Sequence, residues 1–190
     1  MPGSAVRTRR LRRIEYERLV DLGMFAGERL ELIDGVLVLR EPQKAPHSTS
    51  VRAVQDTLRR VFGTGWDVRP QLPVALDNVS EPEPDMAVVP GSYRDYRRGH
   101  PGKPALVVEI ADSTLMRDRR KGGLYARAGV GDYWIVNLID DVLEVYRQRR
   151  RSRGSPFGWV YAEVHVFRRG DVATPLAAPD ARVSVDDLLP

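Results

Sequence analysis

Apolar residues recur along the chain with two different periods, and the change of period predicts where helices give way to strands. Between positions 48 and 62 they are three or four residues apart, which predicts an amphipathic helix. From 66 to 76 apolar and polar residues alternate, interrupted only by Pro70, which predicts a long strand with one buried face. The chain therefore changes from helix to strand between residues 62 and 66.

Two short runs are continuously apolar, which is typical of strands that are covered on both faces. One is 86–89, which directly follows Pro84 and Asp85, and the other is 105–110, which contains Glu109. An unpaired charge buried in such a strand would cost several kcal/mol, so Glu109 requires a cation or hydrogen-bond donors beside it. Glu109 is therefore the position at which the pattern itself points to chemistry.

Turn and cap residues delimit the other elements. Asp34-Gly35 joins the apolar segments 29–33 and 36–39 and predicts a hairpin. Gly23 and Gly129 follow two helical patterns and predict where these helices end. The pattern also predicts helices at 14–23 and 116–128, a loop at 93–103, strands at 133–136, 142–146 and 159–167, and an arginine-rich loop before the last strand.

Lys121 lies on the face of the predicted helix 116–128 that also carries Leu124, Tyr125 and Ala128, so it is expected to point toward the sheet. Gly122 and Gly123 each weaken a helix by about 1 kcal/mol relative to alanine, as expected where the backbone must approach another element closely. Alternatively, the lysine side chain extends along the sheet edge to water.

Composition narrows the chemistry. A chain of 190 residues without a long apolar stretch favours a single cytoplasmic domain with no membrane segment. The absence of cysteine excludes thiolate nucleophiles and cysteine-bound zinc, and the three histidines are far apart. The kind of site that remains is one in which carboxylates bind a hard cation such as Mg²⁺. The arginine clusters at 7–13 and 147–153 fit either phosphate contacts or a solvated tail and loop.

Asp85 and Glu109 are expected on neighbouring strands, with Lys121 on the helix that follows. Two carboxylates can hold a divalent cation, and a lysine nearby can orient water or balance charge in a transition state. This arrangement predicts metal-assisted cleavage of a phosphodiester bond.

Several segments also follow a pattern found in a known family. They are Pro84-Asp85, Val107-Val-Glu-Ile110, Asp118-x-x-Lys121-x-x-x-Tyr125-Ala-Arg-Ala-Gly-Val130, Asp132-Tyr-Trp-Ile-Val136, and, upstream, Glu31-Leu-Ile-Asp-Gly35 and His47. With these segments the chain resembles the Uma-type restriction endonucleases of the PD-(D/E)XK nuclease superfamily. The resemblance covers roughly residues 14 to 147.

The resemblance implies an α/β fold with a restriction-endonuclease-like core of helix, three strands, helix and strand. An N-terminal helix and hairpin and extra C-terminal strands would complete a single nuclease-like domain at 14–190, after a flexible basic arm at 1–13. The superfamily places its lysine two positions after the glutamate, where this chain has Ala111. Lys121 on the following helix is expected to replace it.

The resemblance also implies roles for individual residues. Asp85, Glu109, Lys121 and Glu31 would be catalytic, and Asp85, Glu109 and Ile110 would bind Mg²⁺ or Mn²⁺. DNA would be the substrate and a homodimer the assembly.

Alternatives stay open for single residues and for the function. Glu31 either completes the acidic cluster or is a surface acid of the hairpin. His47 is a minor candidate, more typical of a cap or a packing residue, and Asp118 is expected to pair with an arginine. The protein could instead bind nucleic acid without cutting it, or Glu109 and Lys121 could form a structural ion pair without metal.

Overall fold

A helix and a β-hairpin precede the central sheet in the computed structural model, which describes residues 8–190. Helix α1 spans Arg13–Asp21, and the hairpin consists of β1 (Leu30–Ile33) and β2 (Val36–Leu39). Asp34 and Gly35 at its turn have φ of 49° and 79°, a left-handed conformation in which glycine and aspartate are the favoured residues. The hairpin predicted from this dipeptide is confirmed.

The predicted basic arm, 1–13, falls in part on residues 1–7, which lie outside the described residues. The described part of the arm contacts the turn of the hairpin. The Leu11 N–H donates to the Gly35 carbonyl at 3.0 Å, and the Arg10 guanidinium binds the Asp34 carboxylate. These contacts attach the chain just before α1 to the hairpin.

Helix α2 (Ala45–Phe62) leads into a six-stranded sheet, and helix α3 (Leu115–Ala128) interrupts it. Only the two strands on either side of α3 are parallel, because a helix crossover lets the second strand run in the same direction as the first. The strands in spatial order are β3 (Trp66–Pro70), β4 (Met86–Pro90), β5 (Leu106–Ala111), β6 (Tyr133–Asn137), β7 (Val142–Arg151) and β8 (Trp159–Arg168).

The two long helices cover opposite faces of this sheet. Val108 and Ile110 of β5 belong to the core under α2, whereas Val107 belongs to the core under α3. Side chains alternate between faces along a strand, so Glu109 projects to the α3 face. Two short strands, β9 (Val172–Ala173) and β10 (Val183–Ser184), add to the core on the α2 face.

The order of elements from α2 to β6 is the predicted core of helix, three strands, helix and strand, so the predicted α/β architecture is confirmed. The N-terminal helix and hairpin and the additional C-terminal strands are also present. Within residues 8–190 there is no helix with the length and apolar character needed to cross a lipid bilayer.

Two predicted elements are wrong in extent. The strand predicted over 66–76 ends at Pro70, because Gln71 turns the backbone with φ of 50°. The predicted arginine-rich loop is instead strand: β7 continues to Arg151, which pairs with Trp159 of β8. Pairing with the apolar and aromatic start of β8 here outweighs the polar composition of the arginine segment.

The two glycines beside Lys121 allow α3 to lie close to its neighbours, as expected. A Cβ atom added at Gly123 would lie 2.8 Å from the Trp159 carbonyl oxygen and 2.9 Å from the Ser155 hydroxyl. At Gly122 it would lie 3.2 Å from the Tyr133 ring. The backbone of α3 therefore touches β8 at a distance that only glycine permits.

We predict that Gly123→Ala lowers the free energy of unfolding by about 1–3 kcal/mol, although alanine is the better helix former, because the methyl group overlaps the β8 backbone. Urea denaturation measures this effect. Gly99→Ala is the matched control, since a Cβ there meets nothing within 4 Å, and it should leave stability unchanged. A stabilised Gly123→Ala variant would contradict the close approach.

Candidate active site

Asp85 and Glu109 lie side by side where β4 begins and β5 nears its end. The Asp85 N–H donates to Glu109 Oε2 at 3.2 Å, and the Ile110 N–H donates to Asp85 Oδ2 at 2.9 Å. Regular pairing of these antiparallel strands starts one residue further on, at Met86 and Val108. At the site, therefore, two carboxylates take the place of main-chain carbonyls as hydrogen-bond acceptors.

Lys121 reaches this pair from the inward face of α3. Its Nζ lies 3.2 Å from Glu109 Oε1 and 3.0 Å from both carboxylate oxygens of Glu31. The lysine is only 8% exposed, which contradicts the alternative that its side chain extends to water. The structure thus brings together Asp85, Glu109, Lys121 and Glu31, the four residues predicted to be catalytic.

Glu31 is buried, unlike a surface acid of a hairpin. It is 3% exposed, and it accepts a hydrogen bond from the Glu83 N–H at 3.2 Å. The neighbouring Leu32 exchanges main-chain hydrogen bonds with Glu81, so β1 is attached to the segment that leads into Asp85. This attachment places the Glu31 carboxylate beside Lys121.

Tyr125 is a site residue that sequence reasoning did not single out. Its hydroxyl donates to Glu109 Oε1 at 2.7 Å, and its side chain is fully buried. The available signal was its position, four residues after Lys121 and hence on the same face of α3. Tyr125 and Lys121 together fix the orientation of the Glu109 carboxylate.

His47 and Gln71 hold the other carboxylate. His47 Nε2 lies 3.0 Å from Asp85 Oδ1, and the Gln71 side-chain amide donates to the same oxygen at 3.3 Å. His47 was expected to cap or pack, yet the first turn of α2 directs it into the site. Nothing in the sequence signals Gln71, because its position depends on the turn after β3.

Asp118 lines the same cleft one turn before Lys121. It is 3% exposed and accepts a hydrogen bond from the Thr114 hydroxyl. The expected arginine partner is Arg117, whose Nε lies 4.0 Å from Asp118 Oδ1 without a hydrogen bond between them. Burial and the nearby charge of Glu109 raise the pKa of Asp118 to about 7.

The cleft carries more negative than positive charge. Burial raises the pKa of Glu109, as do the charges of Asp85 and Glu31, whereas Lys121 lowers it. Burial disfavours the charged form of Lys121, but Glu109 and Glu31 outweigh it and raise the lysine pKa. Lys121 is therefore protonated at neutral pH. With Asp118, four carboxylates face the Lys121 ammonium, the imidazole of His47 and the guanidinium of Arg40, which lies 4.0 Å from Asp85.

The pKa of Asp85 is shifted in the opposite direction from that of Glu109. Burial alone would raise it, but the hydrogen bond and charge of His47 bring it below its ordinary value. Asp85 is thus the more readily ionised of the two carboxyl groups between the strands.

The donor set suits a hard divalent cation. Its ligand atoms are oxygens, the excess of carboxylates would be balanced by positive charge, and the cleft volume of about 60 Å³ holds an ion and a few waters. Ile110 has an apolar side chain, so its ligand would be the main-chain carbonyl. The Ile110 N–H already faces Asp85, and the N–H and C=O of a strand residue point to the same side.

Within residues 8–190, no group of three or more histidine or carboxylate side chains is arranged as a metal site. The predicted ligand set contains only two such side chains, Asp85 and Glu109, together with a main-chain carbonyl. The absence of a larger cluster is therefore compatible with the predicted set.

A family model described as "Uma2: Putative restriction endonuclease" matches residues 14–186. No curated protein matches the chain. A solved structure described as "Crystal structure of a putative nuclease belonging to DUF820 from Anabaena variabilis ATCC 29413" is similar over 89% of this chain and 96% of that one. The TM-score is 0.63 at 16% identity, so this second likeness supports the fold.

We predict that Lys121→Met lowers the free energy of unfolding by about 3–5 kcal/mol at pH 8, because Glu31 and Glu109 lose their buried cation. The loss should shrink at pH 5. Without the lysine the pKa of Glu109 rises further, and an acid with a raised pKa in the folded state destabilises that state as pH increases through it.

Urea denaturation at the two pH values measures this difference. Lys103→Met, at an exposed lysine, is the control and should be neutral at both. An equal loss at pH 5 and pH 8 would contradict the electrostatic origin.

Proposed function

Because the chain belongs to the Uma2 family, whose description is restriction endonuclease, we propose that it is a metal-dependent endonuclease that hydrolyses phosphodiester bonds in DNA. The family indicates a nuclease. Metal-dependent hydrolysis of DNA is supported by one observation: Asp85, Glu109 and Lys121 lie together in one cleft, at the point where β4 and β5 separate.

We propose that Asp85, Glu109 and the Ile110 carbonyl hold Mg²⁺ or Mn²⁺. When bound, such an ion activates a water molecule and neutralises charge on the phosphoryl oxygens. The surplus of buried carboxylates in the cleft and their hard oxygen donors support this assignment. His47 and Tyr125 act as positioning residues, since each fixes one of the two carboxylates.

Lys121 supplies the ammonium group beside Glu109. Because it is protonated at neutral pH, it serves as a hydrogen-bond donor and a positive charge, and it is not a general base. Its ammonium can orient the attacking water or stabilise charge on the phosphoryl group. Glu31 holds Nζ at 3.0 Å, so its role in this proposal is to position Lys121.

A single cleft of this kind cuts one strand at a time. Cleavage of both strands of a duplex would require two sites, and the proposal therefore includes a homodimer acting on DNA in the cytoplasm. Sedimentation of the free and DNA-bound chain tests the assembly.

We predict that Glu109→Gln reduces plasmid cleavage with Mg²⁺ or Mn²⁺ by about 10²-fold or more, because a metal ligand loses its charge. The matched control is Glu163→Gln, at an exposed glutamate on β8, which should cleave like the wild type. Circular dichroism confirms that both variants are folded.

Cleavage that survives Glu109→Gln would refute the assignment of Glu109. Wild-type protein that binds DNA in a strongly salt-dependent way but never cleaves it would instead identify a binding protein that retains the fold.

A second prediction separates the lysine from the metal ligands. Lys121→Met should lower the cleavage rate by about 10²–10³-fold, since a stabilising charge is lost, while Mn²⁺ affinity measured by calorimetry does not fall. Glu109→Gln should reduce both quantities. A loss of Mn²⁺ binding in folded Lys121→Met would show that the lysine acts through the metal site.

A further inference from the structure

A second recess adjoins the acidic cleft on the other side of the Lys121–Glu31 ion pair. This side pocket has a volume of about 350 Å³ and lies between the β1–β2 hairpin, α3 and the segment that joins β7 to β8. Glu31, Lys121 and Arg117 line both the cleft and the side pocket. The two recesses share these side chains as a common wall, so one extended ligand can occupy both.

The side pocket is lined largely by apolar side chains. They come from both strands of the hairpin and from the β7–β8 connection, and they are Ile33, Val36, Val38, Pro156 and Phe157. Val36 is 56% exposed although it is a large apolar residue. The surface is thus suited to an apolar group rather than to water alone.

The charges around this pocket are unbalanced in favour of cations. Its two acidic residues are already paired, Glu31 with Lys121 at 3.0 Å and Asp34 with Arg127 at 2.6 Å. Within residues 8–190, Arg120 has no carboxylate within 4.0 Å, and the partner of Arg117 is Asp118 at 4.0 Å. A ligand with an anionic group beside its apolar part would complement these two exposed arginines.

The acidic cleft and the side pocket differ in volume, and the difference limits what each can bind. The acidic cleft, at about 60 Å³, has room for an ion and waters, whereas the side pocket, at about 350 Å³, falls in the range of about 300–1,000 Å³ typical of small-molecule sites. Of the two recesses, only the side pocket therefore has room for a nucleobase.

We infer that the side pocket binds one unpaired nucleobase of the nucleic-acid substrate, with an adjacent phosphate on Arg117 and Arg120. This inference rests on the proposed function and names its substrate class, a DNA with an unpaired nucleotide next to the cut. A paired base must be unstacked to enter such a recess, at a cost of a few kcal/mol, and a base that is already unpaired avoids this cost.

Binding without metal tests the inference independently of cleavage. Fluorescence anisotropy in EDTA compares the full chain on a labelled duplex with one bulged adenine and on the same duplex fully paired. We expect the bulged duplex to bind at least about tenfold more tightly. Val36→Glu, which places a carboxylate in the pocket, should reduce this preference to within about twofold.

The matched control is Val164→Glu, at a valine on β8 that is 48% exposed and outside the pocket. It should keep the tenfold preference, and the ratio of two duplexes cancels any general repulsion of DNA. Equal binding of both duplexes by the wild type, or a preference that survives Val36→Glu, would overturn the inference.

Three further outcomes distinguish the sources of failure. Displacement of the bulged duplex by free deoxyadenosine monophosphate, with a dependence on Val36, would mean that the pocket takes a free nucleotide instead, and this overturns the inference. Intact metal-dependent cleavage without a bulge preference removes the side-pocket assignment alone. A bulge preference that Val36→Glu abolishes, in a chain that never cleaves, supports the pocket and removes the proposed endonuclease.

Discussion

The buried ion pairs of Lys121 with Glu109 and Glu31 join three parts of the molecule that are distant in sequence. The ammonium comes from α3, one carboxylate from the central strand β5 and the other from the N-terminal hairpin. Each group would be costly to bury alone, since an isolated charge in the protein interior loses its hydration. The lysine that faces the candidate site therefore adds to the main-chain hydrogen bonds between Leu32 and Glu81 in holding the hairpin against the rest of the molecule.

The same site departs from regular sheet pairing where β4 and β5 separate. Main-chain N–H groups of Asp85 and Ile110 donate to carboxylates instead of carbonyls. This arrangement satisfies the backbone donors while it keeps two acids at a strand end, with their other oxygens bound to His47, Gln71, Lys121 and Tyr125. Burial, and after it the charges of neighbouring carboxylates, raise the pKa values of Glu109 and Asp118, and a cation bound in the cleft would offset both effects.

The sequence alone was informative wherever a local pattern decides the structure. The Asp34-Gly35 turn, the inward face of α3 and the apolar strand around Glu109 all follow from periodicity and turn chemistry, and so does the order of the core elements. It was misleading where tertiary pairing decides. The composition of Arg147 to Arg151 predicts a loop, but pairing with β8 makes this segment a strand. The alternation of apolar and polar residues continues to Leu76, but the backbone already turns at Gln71. The resemblance makes Glu31 a catalytic candidate and His47 a minor one, but their contacts with Lys121 and Asp85 depend on where the hairpin and the start of α2 lie in space.

The lysine position follows from the same packing. Ala111, two residues after Glu109, is fully buried and lies on the same sheet face, in the core beneath α3. A long cationic side chain at that point would have to be buried in this apolar core. An ammonium carried by the helix can reach Glu109 only if α3 lies close to the sheet. Gly122 and Gly123 allow this proximity, because they have no side chains and leave room for Tyr133 and for the backbone of β8. The glycine pair thus lets α3 lie near enough to the sheet for Lys121 Nζ to be 3.2 Å from Glu109.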